Sequence, residues 1–196
     1  MSTTAGQLLE NRDRVTSRTW PVLAIYTAAS LLLAAADLML PASWYPWTLL
    51  AATVVGGGIV AAIDIRTLTL PNRFTAALAA AAAVQAVSHS IAAASPSPAA
   101  WGALAGVLAT VVYLAMGLVG WVGFGDAKLV AGLAIASGAI AGPAALFLAP
   151  IAIAISGLTR GLHMLNRSGR EGHPHGPALV AATLAVMILG SQWWHG

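Results

Sequence analysis

Apolar stretches about as long as a bilayer is thick follow one another along nearly all of this chain, with hardly a charge inside them. That leaves few folds open. Hydrocarbon offers no partner for backbone N–H and C=O groups, so a spanning segment satisfies them within a helix. Such a helix needs roughly 20 mostly apolar residues. Seven segments qualify: Pro21–Leu40, Trp47–Ile63, Asn72–Ala94, Ala99–Gly120, Ala127–Gly142, Pro143–Leu165 and Pro177–Trp194. The expected fold is therefore all-α, a polytopic bundle of about seven transmembrane helices. Composition agrees: 59% of the 196 residues are hydrophobic and 8% charged, where a soluble domain carries about 25% charged residues. A small core cannot hide that much apolar surface. Net charge +3 comes from nine basic and six acidic residues, too few for an electrostatic footprint on nucleic acid despite a pI of about 10. The absence of cysteine excludes disulfides, thiolate chemistry and cysteine-ligated zinc.

The basic residues set the orientation. Arg12, Arg14 and Arg18 precede the first span. Arg66 and Arg73 lie between the second and third. Lys128 follows the loop after the fourth, and Arg160, Arg167 and Arg170 lie at or beyond the end of the sixth. An N-terminus in the cytoplasm puts all nine on that side, as the positive-inside rule asks, and puts the C-terminus outside. Trp20, Trp44, Trp47, Trp101, Trp121, Trp193 and Trp194 fall near span ends and read as an interfacial belt. The fifth span is the shortest and richest in small residues, so it is expected to be enclosed by the others. The longest cytoplasmic loop is about Asn166–Gly176. His89, His163, His173, His175 and His195 are spread over depths and sides and give no metal-ligand set.

Ionisable residues near membrane depth are the informative ones. Glu10, Asp13 and Glu171 read as solvated, and Asp37 as a carboxylate reaching the outer interface or capping a helix. Asp64 closes the second span and Asp126 opens the fifth, so both are expected at one membrane level on the cytoplasmic side. Two carboxylates at close range do not both ionise easily. One can activate a water while the other protonates the leaving group. The plainer alternative is that each pairs with a nearby cation, Arg66 or Lys128.

The surrounding sequences sharpen the choice. Asp126 sits in Gly123-Phe124-Gly125-Asp126-Ala127-Lys128-Leu129. The two glycines let backbone, and an extended substrate strand, approach the carboxylate. A helix start, with the acid as its cap and the glycines as a turn, explains the same residues. Asp64 precedes Pro71-Asn72, where Pro71 ends one helix and suits the start of the next and Asn72 can cap it.

Together these residues resemble the type IV prepilin peptidases, membrane aspartic proteases of the GxGD type. The family pattern has an Asp a few residues before Pro-Asn, matched by Asp64 and Pro71-Asn72. It has a second Asp in Gly-x-Gly-Asp-x-Lys-Leu, matched at Gly123–Leu129, and a Pro-aromatic-Gly-Pro element, matched by Pro174-His175-Gly176-Pro177 with a His for the aromatic. The resemblance covers about Trp47–Trp194. It implies a cytoplasmic tail at 1–20, an accessory first helix and outer loop at 21–46, and a six-helix peptidase core at 47–196. Larger members carry a segment with paired cysteines linked to N-methylation. Its absence here resembles the short form, a peptidase without that module.

The resemblance further implies hydrolysis of the leader of a prepilin or pilin-like precursor at the cytoplasmic face of the inner membrane. Asp64 and Asp126 would share the general base and general acid roles, with no cofactor or metal. Gly123, Gly125, Pro71, Asn72, Gly176 and Pro177 would shape the site, and Lys128 would bind substrate backbone or tune Asp126, unless it is a topology signal alone. Signal peptide peptidases share GxGD and a Pro-Ala-Leu, here Pro177-Ala178-Leu179, but have Tyr-Asp where this chain has Ile63-Asp64. A proton-coupled transporter would place acids mid-membrane, and none falls there on the third, fourth, sixth or seventh span. A non-catalytic assembly subunit would tolerate loss of either aspartate. Which precursor is cut, and the oligomeric state, are not written in the spans.

Overall fold

The computed structural model describes residues 20–165 and 174–191. Among them the chain is all-helical. Seven α-helices are present: α1 (Trp20–Asp37), α2 (Tyr45–Thr67), α3 (Asn72–Ala92), α4 (Ser97–Leu118), α5 (Phe124–Ala141), α6 (Leu148–Leu165) and α7 (Gly176–Ser191). Short 3-10 turns at Ala42–Trp44 and Gly142–Phe147 lead into α2 and α6. α1, α2, α3 and α4 are each long and apolar enough to cross a membrane, as is the continuous stretch Phe124–Arg160 that holds α5 and most of α6, while α7 is a shorter apolar helix. The chain is a multi-pass membrane protein. The tail with Glu10, Asp13, Arg12, Arg14 and Arg18 lies outside the described residues. So do Arg167, Arg170, Glu171, His173, Trp193, Trp194, His195, most of the last loop and the side chain of His163.

α5 is the central helix, as its small residues foretell. Thirteen of its residues are buried, and Leu129, Val130, Leu133 and Ala134 are fully so. It packs on α4, α3 and α7. Glycines permit the approach: a Cβ at Gly132 would sit 2.9 Å from the backbone of Ala79 on α3, and one at Gly138 would overlap the Trp101 carbonyl on α4. Without a hydrophobic drive between helices in lipid, such contact supplies the association. The outer helices instead show apolar faces to the surroundings: Ile25 and Leu32 on α1, and Val107 and Val111 on α4, are exposed. α1 buries one stripe, Leu23, Tyr26, Ser30, Ala34 and Asp37, at helical spacing. Its first residue also lies against α3, with the Arg73 guanidinium 4.9 Å from the Trp20 ring centre.

Helix boundaries differ from the sequence expectation in instructive places. α2 runs past Ile63 to Thr67, so Asp64 lies inside the last turn of a helix. The helix stops where Leu68 takes a left-handed conformation, φ 51°, and its N–H returns to the Asp64 carbonyl. Residues other than glycine adopt that region at a cost, and no glycine marks the end in the sequence. α6 begins at Leu148, not at Pro143, because Gly142 adopts φ 54° and a 3-10 turn intervenes. Asp37 does not turn outward from the bundle, nor does its side chain cap a helix. It is 1% exposed at the end of α1 and accepts a 2.6 Å hydrogen bond from the Thr48 hydroxyl of α2, because a carboxylate facing the bundle does better with a donor than with none.

Candidate functional site

The last turn of α2, the first turns of α3, α5 and α7, and the last turns of α4 meet at one end of the bundle, where the sequence-predicted site residues fall. Asp64 is 5% exposed and Asp126 8% exposed, so both carboxylates are held within protein. Asp64 Oδ2 accepts the Gly176 backbone N–H at 2.8 Å. The donor belongs to the first turn of α7, whose N–H groups lack partners within the helix and carry the positive end of its dipole. Glycine at 176 keeps space for the carboxylate: a Cβ there would lie 2.9 Å from Asp64 Oδ2 and 3.2 Å from Asp64 Cβ, so the Asp64 side chain would have to shift. Pro177 follows in the first turn, where its missing N–H costs nothing.

Asp126 combines the two readings that its sequence allows. Gly123 is the N-cap of α5 and Asp126 the third helical residue. Asp126 Oδ2 accepts the Gly123 N–H at 3.0 Å, while the Asp126 N–H bonds the Gly123 carbonyl at 3.0 Å. The carboxylate thus serves the helix start with one oxygen. It also lines an open cleft of about 510 Å³, together with Met116, Trp121, Ser156, Arg160 and His175. Gly125 is packed on Leu70 of the α2–α3 loop, where a Cβ would come within 3.2 Å of Leu70 Cβ.

Two expected contacts are replaced. Asn72 does not cap α3, since Pro71 holds the N-cap position without a side-chain bond. As the first residue of the helix, Asn72 turns its amide outward, and its Oδ1 accepts from Lys128 Nζ of α5 at 2.8 Å. Lys128 therefore pairs across helices with Asn72, and Asp126, two residues away and so on a different side of α5, is left to Gly123. The Lys128–Asn72 bond ties the Gly-x-Gly-Asp segment to the Pro-Asn segment.

Nothing in the sequence marks Tyr113 or Ser156 as a site residue, and Arg160 reads there as an orientation signal alone. Ser156 and Gly157 form a small polar interruption in an apolar span, and Tyr113 is the one hydroxyl-bearing ring of α4. Those were the available signals. Tyr113 is wholly buried and its hydroxyl lies 2.9 Å from His175 Nε2, while His175 Nδ1 lies 2.7 Å from Ser156 Oγ.

A multi-pass helical bundle with two acids buried at one end is the frame of a membrane-embedded enzyme. A sequence model of the type IV leader peptidase family matches residues 51–158, more than half of the chain, and the chain belongs to that family, whose members are aspartic-type proteases. The match includes Asp64, Pro71, Asn72, Gly123, Gly125, Asp126 and Lys128, and stops before Gly176 and Pro177. No curated protein and no solved structure matches the chain.

Proposed function

We propose that Asp64 and Asp126 are the catalytic pair of an endopeptidase that removes the leader of type IV prepilins or related pilin-like precursors. The reaction takes place at the cytoplasmic face of the inner membrane, where the positive-inside count puts this end of the bundle. One carboxylate takes a proton from a bound water as its oxygen attacks the scissile carbonyl carbon. The other, protonated, gives its proton to the departing nitrogen as the C–N bond breaks. Asp126 Oδ2 is occupied by Gly123, which leaves Oδ1 for the water. Gly123 lines the cleft and keeps the substrate path open, Gly125 lets α5 pack on Leu70, Gly176 orders Asp64, and Asn72 and Lys128 hold the two acid-bearing segments together.

The observation that carries this reading is two buried carboxylates at one end of the bundle, one of them lining an open cleft. Membranes containing the wild type, Asp64→Asn or Asp126→Asn are to be incubated with a prepilin. The wild type is expected to release the leader and both variants to leave the precursor intact. Cleavage by either variant sinks the pair, and is the result that a non-catalytic assembly subunit predicts.

A further inference from the structure

His175 stands where the resembling family has an aromatic residue, and both of its ring nitrogens are engaged. Nε2 meets the Tyr113 hydroxyl of α4 at 2.9 Å and Nδ1 meets Ser156 Oγ of α6 at 2.7 Å. The Tyr113 and His175 rings lie 5.6 Å apart, tilted by 39°. A neutral imidazole donates from one nitrogen and accepts at the other, and a hydroxyl does both. The chain Tyr113–His175–Ser156 therefore closes in either tautomer. Tyr113 is wholly buried, so its hydroxyl depends on such a partner. A phenyl ring at 175 would fill similar space and take neither bond.

The next residue is Gly176, whose N–H is on Asp64 Oδ2 at 2.8 Å. A ring held at both nitrogens fixes the direction in which the following peptide N–H points. His175 and Ser156 also line the cleft with Asp126. One side chain thus joins α4 and α6 to the start of α7, next in the chain to the residue that holds Asp64 and in the cleft that Asp126 lines. We infer that His175 is a positioning residue for leader hydrolysis, pinned by Tyr113 and Ser156 so that the Gly176 N–H stays on Asp64. The inference rests on the proposed pairing of Asp64 with Asp126.

The test is the kcat and KM of precursor cleavage by the full-length chain in lipid vesicles, for the wild type, His175→Phe, Tyr113→Phe, Ser156→Ala and the Tyr113→Phe/His175→Phe double variant. Misplacing a catalytic group by about 1 Å costs up to about 10²-fold. His175→Phe is expected to lower kcat by about 10- to 10²-fold with little change in KM, and Tyr113→Phe and Ser156→Ala by less. The double variant is expected to be no slower than His175→Phe alone, since both changes break one network. Wild-type kcat in either His175→Phe or Tyr113→Phe overturns the inference, as do losses that multiply in the double variant. Should His175→Phe not fold, Tyr113→Phe, which removes one oxygen, decides the matter. Asp64→Asn run alongside separates the two levels: cleavage by Asp64→Asn removes the underlying reading, whereas an inactive Asp64→Asn beside a fully active His175→Phe removes this inference alone.

Discussion

The bundle buries a carboxylate at each end, and the two ends treat it differently. Asp37, at the far end, is 1% exposed and takes one bond from Thr48 on the neighbouring helix. Asp64 and Asp126, at the other, come from two helices and are held by backbone N–H groups of Gly176 and Gly123, and Asp126 lines a cleft. Burial of an acid in a membrane protein is thus no sign of chemistry by itself. What separates a structural carboxylate from a candidate catalytic one is a second acid, glycine at the points of approach and room for a substrate.

The comparison can be broken at several strengths. Changing Asp64 or Asp126 to Asn removes a proton-transfer group and is expected to cost at least about 10²–10⁴-fold in cleavage rate. The double variant should lose no more than the worse single one, because groups that act as a unit are not additive. Precursor cleavage in a time course followed by gel measures this. Gly176→Ala comes next. Its Cβ would be driven against Asp64, and a loss of about 10²-fold in kcat is expected from the displaced carboxylate, with the chain still folded by circular dichroism.

Smaller effects mark the edges. Lys128→Met removes an exposed bond to Asn72 and is expected to cost less than about tenfold in kcat/KM, since a solvent-exposed bond contributes only about 0.5–1 kcal/mol. At the far end Thr48→Ala strips Asp37 of its donor. It is expected to lower unfolding stability by about 1–3 kcal/mol and leave kcat untouched, as thermal unfolding and cleavage assays on one preparation would show. A loss of kcat there would mean that the two ends are coupled, and the contrast between them would fail.

The sequence disclosed what depends on short-range pattern. Scarce charge made the helices visible, the Gly and Ala content of Ala127–Gly142 announced the enclosed helix, and Asn72 begins α3 where Pro71 said it would. It did not disclose what depends on tertiary contact or on strain. The pattern ends the second span at Ile63, whereas α2 runs one turn further with Asp64 in that turn, because Leu68 rather than a glycine takes the left-handed conformation. Asn72 has the chemistry of a cap but bonds Lys128, whose approach only the packing of α3 on α5 creates. Nothing local to Asp37 points to Thr48. The Tyr113–His175–Ser156 contacts join residues far apart in the chain and have no spacing that could give them away.

The central claim is that, of the three carboxylates buried among the described residues, two work on the substrate and the third does not. It is tested most directly by Asp37→Asn, Asp64→Asn and Asp126→Asn assayed side by side on one precursor in lipid vesicles, at matched amounts of folded protein. The account predicts leader release at the wild-type rate by Asp37→Asn and none by the other two. Release by Asp64→Asn or Asp126→Asn, or its loss in a folded Asp37→Asn, would contradict it.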